Sequence, residues 1–155
     1  MPDRLIVMVC TGNLCRSPMA EYLLRRRLPP DSVWSVASAG TSAAAGLPAS
    51  EGAQRAMAEI GTDLRRHRSQ PLTDLLVQEA DVLLTMTAEQ RDSVLLRFPE
   101  AAGRVYLLKG LGTDPYPGNI DDPIGMNLDA YRRVRDDIDS LMPDVILFLH
   151  ERGRR

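Results

Sequence analysis

Four short apolar runs, at residues 5–9, 33–37, 81–86 and 105–108, alternate with stretches whose apolar residues recur at helical spacing, and this alternation constrains the fold more than any other feature. Strands separated by helices cannot be joined by tight hairpins. They pair in parallel, and a parallel sheet is buried on both faces by the crossover helices. The chain has 155 residues, of which 44% are apolar and 26% charged, enough for one domain with a core of its own. A single domain over 1–155 is expected.

The boundaries follow from capping residues. Ser17-Pro18 after the first run reads as N-cap and first helical position, and the arginines 25 to 27 as that helix's exposed, basic C-terminal end. Ser38-Ala39-Gly40 closes the second run. Ser50 predicts a helix through Ile60, with Ala53, Ala56, Met57 and Ile60 facing inward, and Thr87 predicts another to about Phe98. A last helix starts near Asn127, carries Leu128, Tyr131, Val134, Ile138 and Leu141 on one face, and should kink or restart at Pro143. The irregular stretch 110–126 holds two Asp-Pro pairs, and loops of this length in a small domain commonly carry function.

Charge and cysteine content exclude several classes. Nineteen Lys and Arg against 21 Asp and Glu leave a net charge of -2, which supplies no general field for nucleic acid or an anionic membrane. The apolar runs are too short for a bilayer, so no membrane insertion is expected. The two cysteines, Cys10 and Cys15, sit too close in sequence to staple distant parts of a fold. A reducing, cytoplasmic location and thiol chemistry are expected.

The chemistry concentrates in Cys10-Thr11-Gly12-Asn13-Leu14-Cys15-Arg16-Ser17, between the first strand and the first helix. In open parallel sheets, ligands bind at the carboxyl ends of the strands, where this segment must lie. Its spacing closes a loop around one tetrahedral anion. Successive amides of such a turn form an anion nest, and the following helix adds the positive end of its dipole. Arg16 can grip two phosphate oxygens through its planar fork. These surroundings favour a nucleophilic thiolate at Cys10, to which Ser17 can donate a hydroxyl hydrogen. Gly12 allows close approach of the backbone, and Asn13 tolerates the left-handed conformation that inward-turned amides require.

The run from Val9 through Cys10, Arg16, Ser17-Pro18 and Met19-Ala20-Glu21 closely resembles the signature of the low-molecular-weight protein tyrosine phosphatases. Ser38-Ala39-Gly40-Thr41, His67-Arg68-Ser69 and Asp81-Val82-Leu83-Leu84-Thr85-Met86 resemble later segments of that family in the same order. The resemblance implies a three-layer α/β/α fold with a four-stranded parallel sheet, of the phosphotyrosine protein phosphatase I-like kind. It also implies a two-step reaction through a cysteinyl phosphate that needs no metal or other cofactor. Ser38 and His67 would support Asn13 and the phosphate loop. The implied acid is an aspartate in an Asp-Pro pair, offered here by Asp114-Pro115-Tyr116 and Asp122-Pro123-Ile124. The passage from Asp122 to Tyr131 and Arg132 is similar to the family's route from its acid loop into its last helix. Asp122 is therefore the expected acid, and Asp114-Pro115 a turn former with Tyr116 at the pocket rim.

The catalytic set expected is Cys10, Arg16, Asp122 and Ser17, with Thr11, Gly12, Asn13, Leu14, Cys15, Tyr116 and Ile124 around the substrate. The expected substrates are phosphorylated proteins, handled by a monomer or weak dimer. Within the same family are arginine phosphatases, which carry threonine before the second cysteine where the tyrosine enzymes carry a bulky aliphatic; Leu14 sides with the latter. Ile124 stands where an aromatic is usual beside the acid, and the alanines at 43–45 where a large ring wall is common. Arsenate reduction would need further cysteines to relay a disulfide, and none follows Cys15. A non-catalytic phosphoprotein-binding module would be expected to lack Cys10, Arg16 or the Asp-Pro acid.

Overall fold

In a computed structural model, which describes residues 3–153, the strands β1 (Arg4–Cys10), β2 (Trp34–Gly40), β3 (Val82–Thr85) and β4 (Val105–Leu107) form one parallel sheet in the order β2-β1-β3-β4. Alternation along β1 explains the layers. Ile6 and Met8 enter a core built with α1 (Arg16–Arg25), α2 (Glu51–Ala58), α5 (Leu128–Ser140) and α6 (Met142–Gly153). Val7 and Val9 enter the other, with α3 (Asp74–Glu79) and α4 (Ala88–Arg97). The three-layer α/β/α expectation agrees with this architecture.

The capping residues read from the sequence act locally as expected at three helices. Ser50 accepts the amide of Ala53, Asn127 that of Ala130, and Thr87 forms a reciprocal box with Gln90. Pro143 sits at the second position of α6, where its missing amide costs no helical bond, so the C-terminal helix restarts after Leu141.

Other boundaries differ. Strand β2 continues to Gly40, beyond the predicted stop at residue 37, because it pairs with β1 all the way to Cys10 opposite Gly40. Its small polar end resembles a turn in sequence but lies buried beside the loop after β1. Helix α2 ends at Ala58 rather than Ile60. Helix α3 is too short to show periodicity, although Thr73 caps it through Leu76. Arg25 is more than a solvated end: its guanidinium pairs with Glu21 at 2.6 Å and donates to the Val36 carbonyl at 2.7 Å, tying α1 to β2.

Candidate active site

The turn from β1 into α1 is held from outside through its carbonyls. Those of Cys10, Thr11 and Leu14 accept the amides of Thr41, Ser42 and Ser50 at 2.9, 3.0 and 2.9 Å. The Asn13 carbonyl accepts from His67 Nε2 at 2.8 Å. A trans peptide points its N–H opposite its C=O, so the amides of Thr11, Gly12, Leu14 and Cys15 face away from these anchors. The bend requires φ of +57° at Asn13, the one described non-glycine residue with positive φ. Gly40 permits the close approach, since a Cβ there would stand 2.4 Å from the Thr11 carbonyl oxygen.

Cys10 ends β1, and its sulfur receives the Asn13 amide at 3.3 Å and lies 2.9 Å from Ser17 Oγ. Helix α1 starts at Arg16, with Cys15 rather than Ser17 in the cap position. The Ser17 hydroxyl makes no cap hydrogen bond because it is engaged inward with Cys10 and Asn13. A buried polar network fixes Asn13: its Nδ2 donates to Ser17 at 2.8 Å and to Ser38 at 3.0 Å, while its Oδ1 accepts the Gln70 amide at 2.9 Å. Ser38 in turn donates to the buried Glu21 at 2.6 Å. Every hydrogen-bonding group of the Asn13 side chain is thereby used, as a buried amide demands.

Arg16 is buried and faces the long loop between β4 and α5. One nitrogen donates to the Ile120 carbonyl at 3.0 Å, and another stands 3.5 Å from Asp122 Oδ2. A pocket of about 200 Å³ is lined by Cys10, Thr11, Gly12, Leu14, Cys15, Arg16, Asp122 and Ile124. Half-exposed, the Asp122 carboxyl reaches solvent and pocket alike. Both Asp-Pro pairs make the same local turn, each aspartate accepting the amide two residues on, so that motif alone does not separate them. Position does: Asp122 lines this pocket, whereas Asp114 and Tyr116 do not, and Tyr116 is 88% exposed. The proline-rich turn at 114–118 projects its ring into solvent.

Cys15, the second thiol, points into the core. Its sulfur contacts Ser50 Oγ at 3.1 Å and Tyr131 Oη at 3.5 Å. Burial pushes the Cys15 thiol up from its ordinary value and the Tyr131 phenol up to about 12, so both keep their protons and remain hydrogen-bonding partners.

Several contributors were not predicted. Glu21 is one helical turn beyond Ser17 on the buried face of α1, a spacing that could have identified it. Gln90 joins α4 to the loop through Thr11 Oγ1 at 3.1 Å, and Gln70 reaches both Asn13 and the Ser38 carbonyl. Their sequence neighbourhoods carry no such signal, because the contacts arise only when separate crossovers meet at one edge of the sheet.

Comparison with known proteins places the sequence and the fold in one family. The family model for low molecular weight phosphotyrosine protein phosphatase matches residues 5–154. The chain is 38% identical over 144 residues to the probable low molecular weight protein-tyrosine-phosphatase EpsP of Ralstonia solanacearum, spanning 90% of this chain and 94% of the relative. It is 41% identical over 144 residues to a protein-arginine-phosphatase of Geobacillus stearothermophilus, spanning 92% and 93%. A solved cysteine-to-serine mutant of the YwlE arginine phosphatase with a phosphorylated active site serine superposes at a TM-score of 0.87, with 34% identity, over 97% of this chain and 98% of that one. Sequence, fold and family model coincide over nearly the whole length, and the chain belongs to the low molecular weight phosphotyrosine protein phosphatase family.

Proposed function

We propose that this chain hydrolyses phosphotyrosine in proteins, with Cys10 as nucleophile, Arg16 as phosphate clamp and Asp122 as the acid and base. The observation that carries the reading is the meeting of Cys10, Arg16 and Asp122 in one small pocket, at a loop whose carbonyls at Cys10, Thr11, Asn13 and Leu14 are engaged elsewhere. The amides left facing inward, the guanidinium and the N-terminus of α1 supply fixed positive potential for the equatorial oxygens of the transferred group.

In the first step the Cys10 thiolate attacks phosphorus and the bond to the ester oxygen breaks. The electron pair leaves with that oxygen, which takes the proton of the Asp122 carboxyl. In the second, water attacks the phosphocysteine, Asp122 accepts its proton, and the S–P bond breaks to return the thiolate and inorganic phosphate. The phosphorylated active-site serine of the YwlE mutant supports a covalent first step on the equivalent side chain. Ser17 supports the thiolate as a donor to the sulfur, Thr11, Gly12, Leu14, Cys15 and Ile124 line the pocket, and Asn13 shapes the loop from behind. Ser38 and His67 hold Asn13 in its strained conformation. The cytoplasm is the proposed compartment, where two unpaired thiols stay reduced; no described helix is long and apolar enough to cross a membrane.

The aliphatic walls of Leu14 and Ile124 support an aryl ester as substrate. A second reading, hydrolysis of phosphoarginine, is favoured by a different observation: none of the pocket-lining residues is aromatic, and a carboxylate, Asp122, stands at the mouth where a guanidinium could be met. Phosphotyrosine and phosphoarginine peptides of one sequence, assayed side by side, test this; turnover of the phosphoarginine peptide alone would replace the first reading by the second. Cys10→Ser should abolish phosphate release while leaving the fold intact. Asp122→Ala should slow poor leaving groups far more than Asp114→Ala, and the reverse order would move the acid to Asp114.

A further inference from the structure

The acid loop has few ties to the rest of the protein. Across 111–126, polar contacts with other segments fall, among the described residues, on Asn119, Ile120 and Asp122 alone. Ile120 is buried in the core; its amide donates to the Met86 carbonyl at 2.9 Å, and its carbonyl accepts from Arg16. Asn119 is exposed, yet its Oδ1 accepts the Ala88 amide at 2.9 Å. That amide is the first of α4 and has no acceptor within the helix. Nearby, the Gln90 amide is met from within by Thr87 Oγ1, and the Met86 and Thr87 amides by Gln90 Oε1. Asn119 thus adds to the cap of α4 from a different segment and fastens the loop just past the end of β3.

We propose that Asn119 is a positioning residue for the Asp122 carboxyl, clasping the acid loop to the N-terminus of α4 three residues before the acid. The inference rests on Asp122 being the proton donor. Beyond its own turn, Asp122 has only the 3.5 Å approach to Arg16 to locate it. A general acid must come within hydrogen-bond reach of the leaving oxygen, and small displacements there cost rate steeply. As the proposed phosphate clamp, Arg16 would share its charge with the bound phosphate, which weakens the one polar contact that holds Asp122 directly. The Asn119 clasp lies outside the pocket and is independent of that exchange.

The test compares kcat/KM for phenyl phosphate, a poor leaving group, with that for 2,4-dinitrophenyl phosphate, which needs little protonation. Asn119→Ala should lower the first about three- to tenfold, the equivalent of one hydrogen bond, and the second by less than about twofold. Asn119→Asp keeps an acceptor for Ala88 and should restore the wild-type ratio. In an Asp122→Ala background, Asn119→Ala should change neither substrate further. Alkylation of Cys10 by iodoacetamide should proceed at the wild-type rate, showing the phosphate loop intact. An equal loss on both substrates, no loss, or a full additional loss without Asp122 would overturn the clasp. If Asp122→Ala itself left the ratio unchanged, the acid assignment would fall, and the clasp with it.

Discussion

Asn13 donates through Nδ2 to Ser17 Oγ at 2.8 Å, and this sets the direction of the bond between Ser17 and Cys10. The Gln70 amide occupies Asn13 Oδ1, so the Nδ2 end must face the two serines. With its oxygen accepting from Asn13, the Ser17 hydroxyl has its one hydrogen free for the Cys10 sulfur. Ser17→Ala removes a donor to a thiolate, a bond to a charged group of about 1.5–3 kcal/mol, and should slow both turnover and Cys10 alkylation by roughly ten- to a hundredfold. Parallel loss in the two assays is the signature, because alkylation involves no phosphate. Turnover lost with alkylation unchanged would place the Ser17 effect on the substrate instead.

Gly40→Ala addresses the loop from behind. The added methyl would lie 2.4 Å from the Thr11 carbonyl oxygen, 2.7 Å from Ala43 Cβ and 3.1 Å from the Asn13 amide nitrogen. Two of these atoms belong to the backbone of the phosphate loop, so relief of the clash must shift the loop itself. The expected result is a loss of activity above about tenfold with circular dichroism unchanged, since a shift near 1 Å is enough to misplace reacting groups. Vanadate affinity should fall in step; wild-type turnover would show that β2 gives way instead of the loop.

How much of this was legible beforehand depends on the range over which each signal acts. The phosphate loop, with Cys10, Gly12, Asn13, Arg16 and Ser17, is a contiguous segment whose spacing dictates its shape, and caps such as Ser50 and Thr87 act within one helical turn. The two Asp-Pro pairs are locally alike and form the same turn, so local chemistry could not place Tyr116; the anchoring of Ile120 to Met86 and Arg16 decides which pair reaches the pocket. Ser38 and Gly40 read as a turn because small polar residues usually mark one, whereas here they are small so that a neighbouring loop can pack on them. Glu21, Gln70 and Gln90 come from three crossovers and acquire partners only in the assembled fold.

Glu21→Ala should reveal the structural share of the network. The Glu21 carboxylate accepts from Ser38 and pairs with Arg25, and its removal leaves the buried Ser38 hydroxyl without an acceptor. An orphaned buried hydroxyl costs about 1–3 kcal/mol, and the Arg25 side chain, half in water, adds little to that. Urea unfolding should show this loss with an unchanged m-value. The double variant with Ser38→Ala should be less destabilised than the sum of the two singles, because the orphan is then gone; strict additivity would deny that the two side chains act as a unit.

The joint between α2 and α5 should contribute to the acid dependence of stability. Glu59, just past the end of α2, accepts two nitrogens of Arg132 at 2.5 to 3.0 Å and one of Arg135 at 2.9 Å. The hydrogen bonds from Arg132, then those from Arg135, lower the Glu59 pKa to about 2 against desolvation. A carboxyl whose pKa is lower folded than unfolded binds fewer protons in the native state, so its contribution is present above the unfolded value of 4.5 and is lost as pH falls to about 2. Glu59→Gln removes that titration. The variant should be less stable than wild type at neutral pH, and the gap should close progressively between those two values, while Asp63, held low by Arg65, keeps its own acid dependence in both proteins. Urea midpoints measured from pH 7 down to 2.5 would show the convergence; a gap constant across that range would mean that the glutamine loses packing rather than charge.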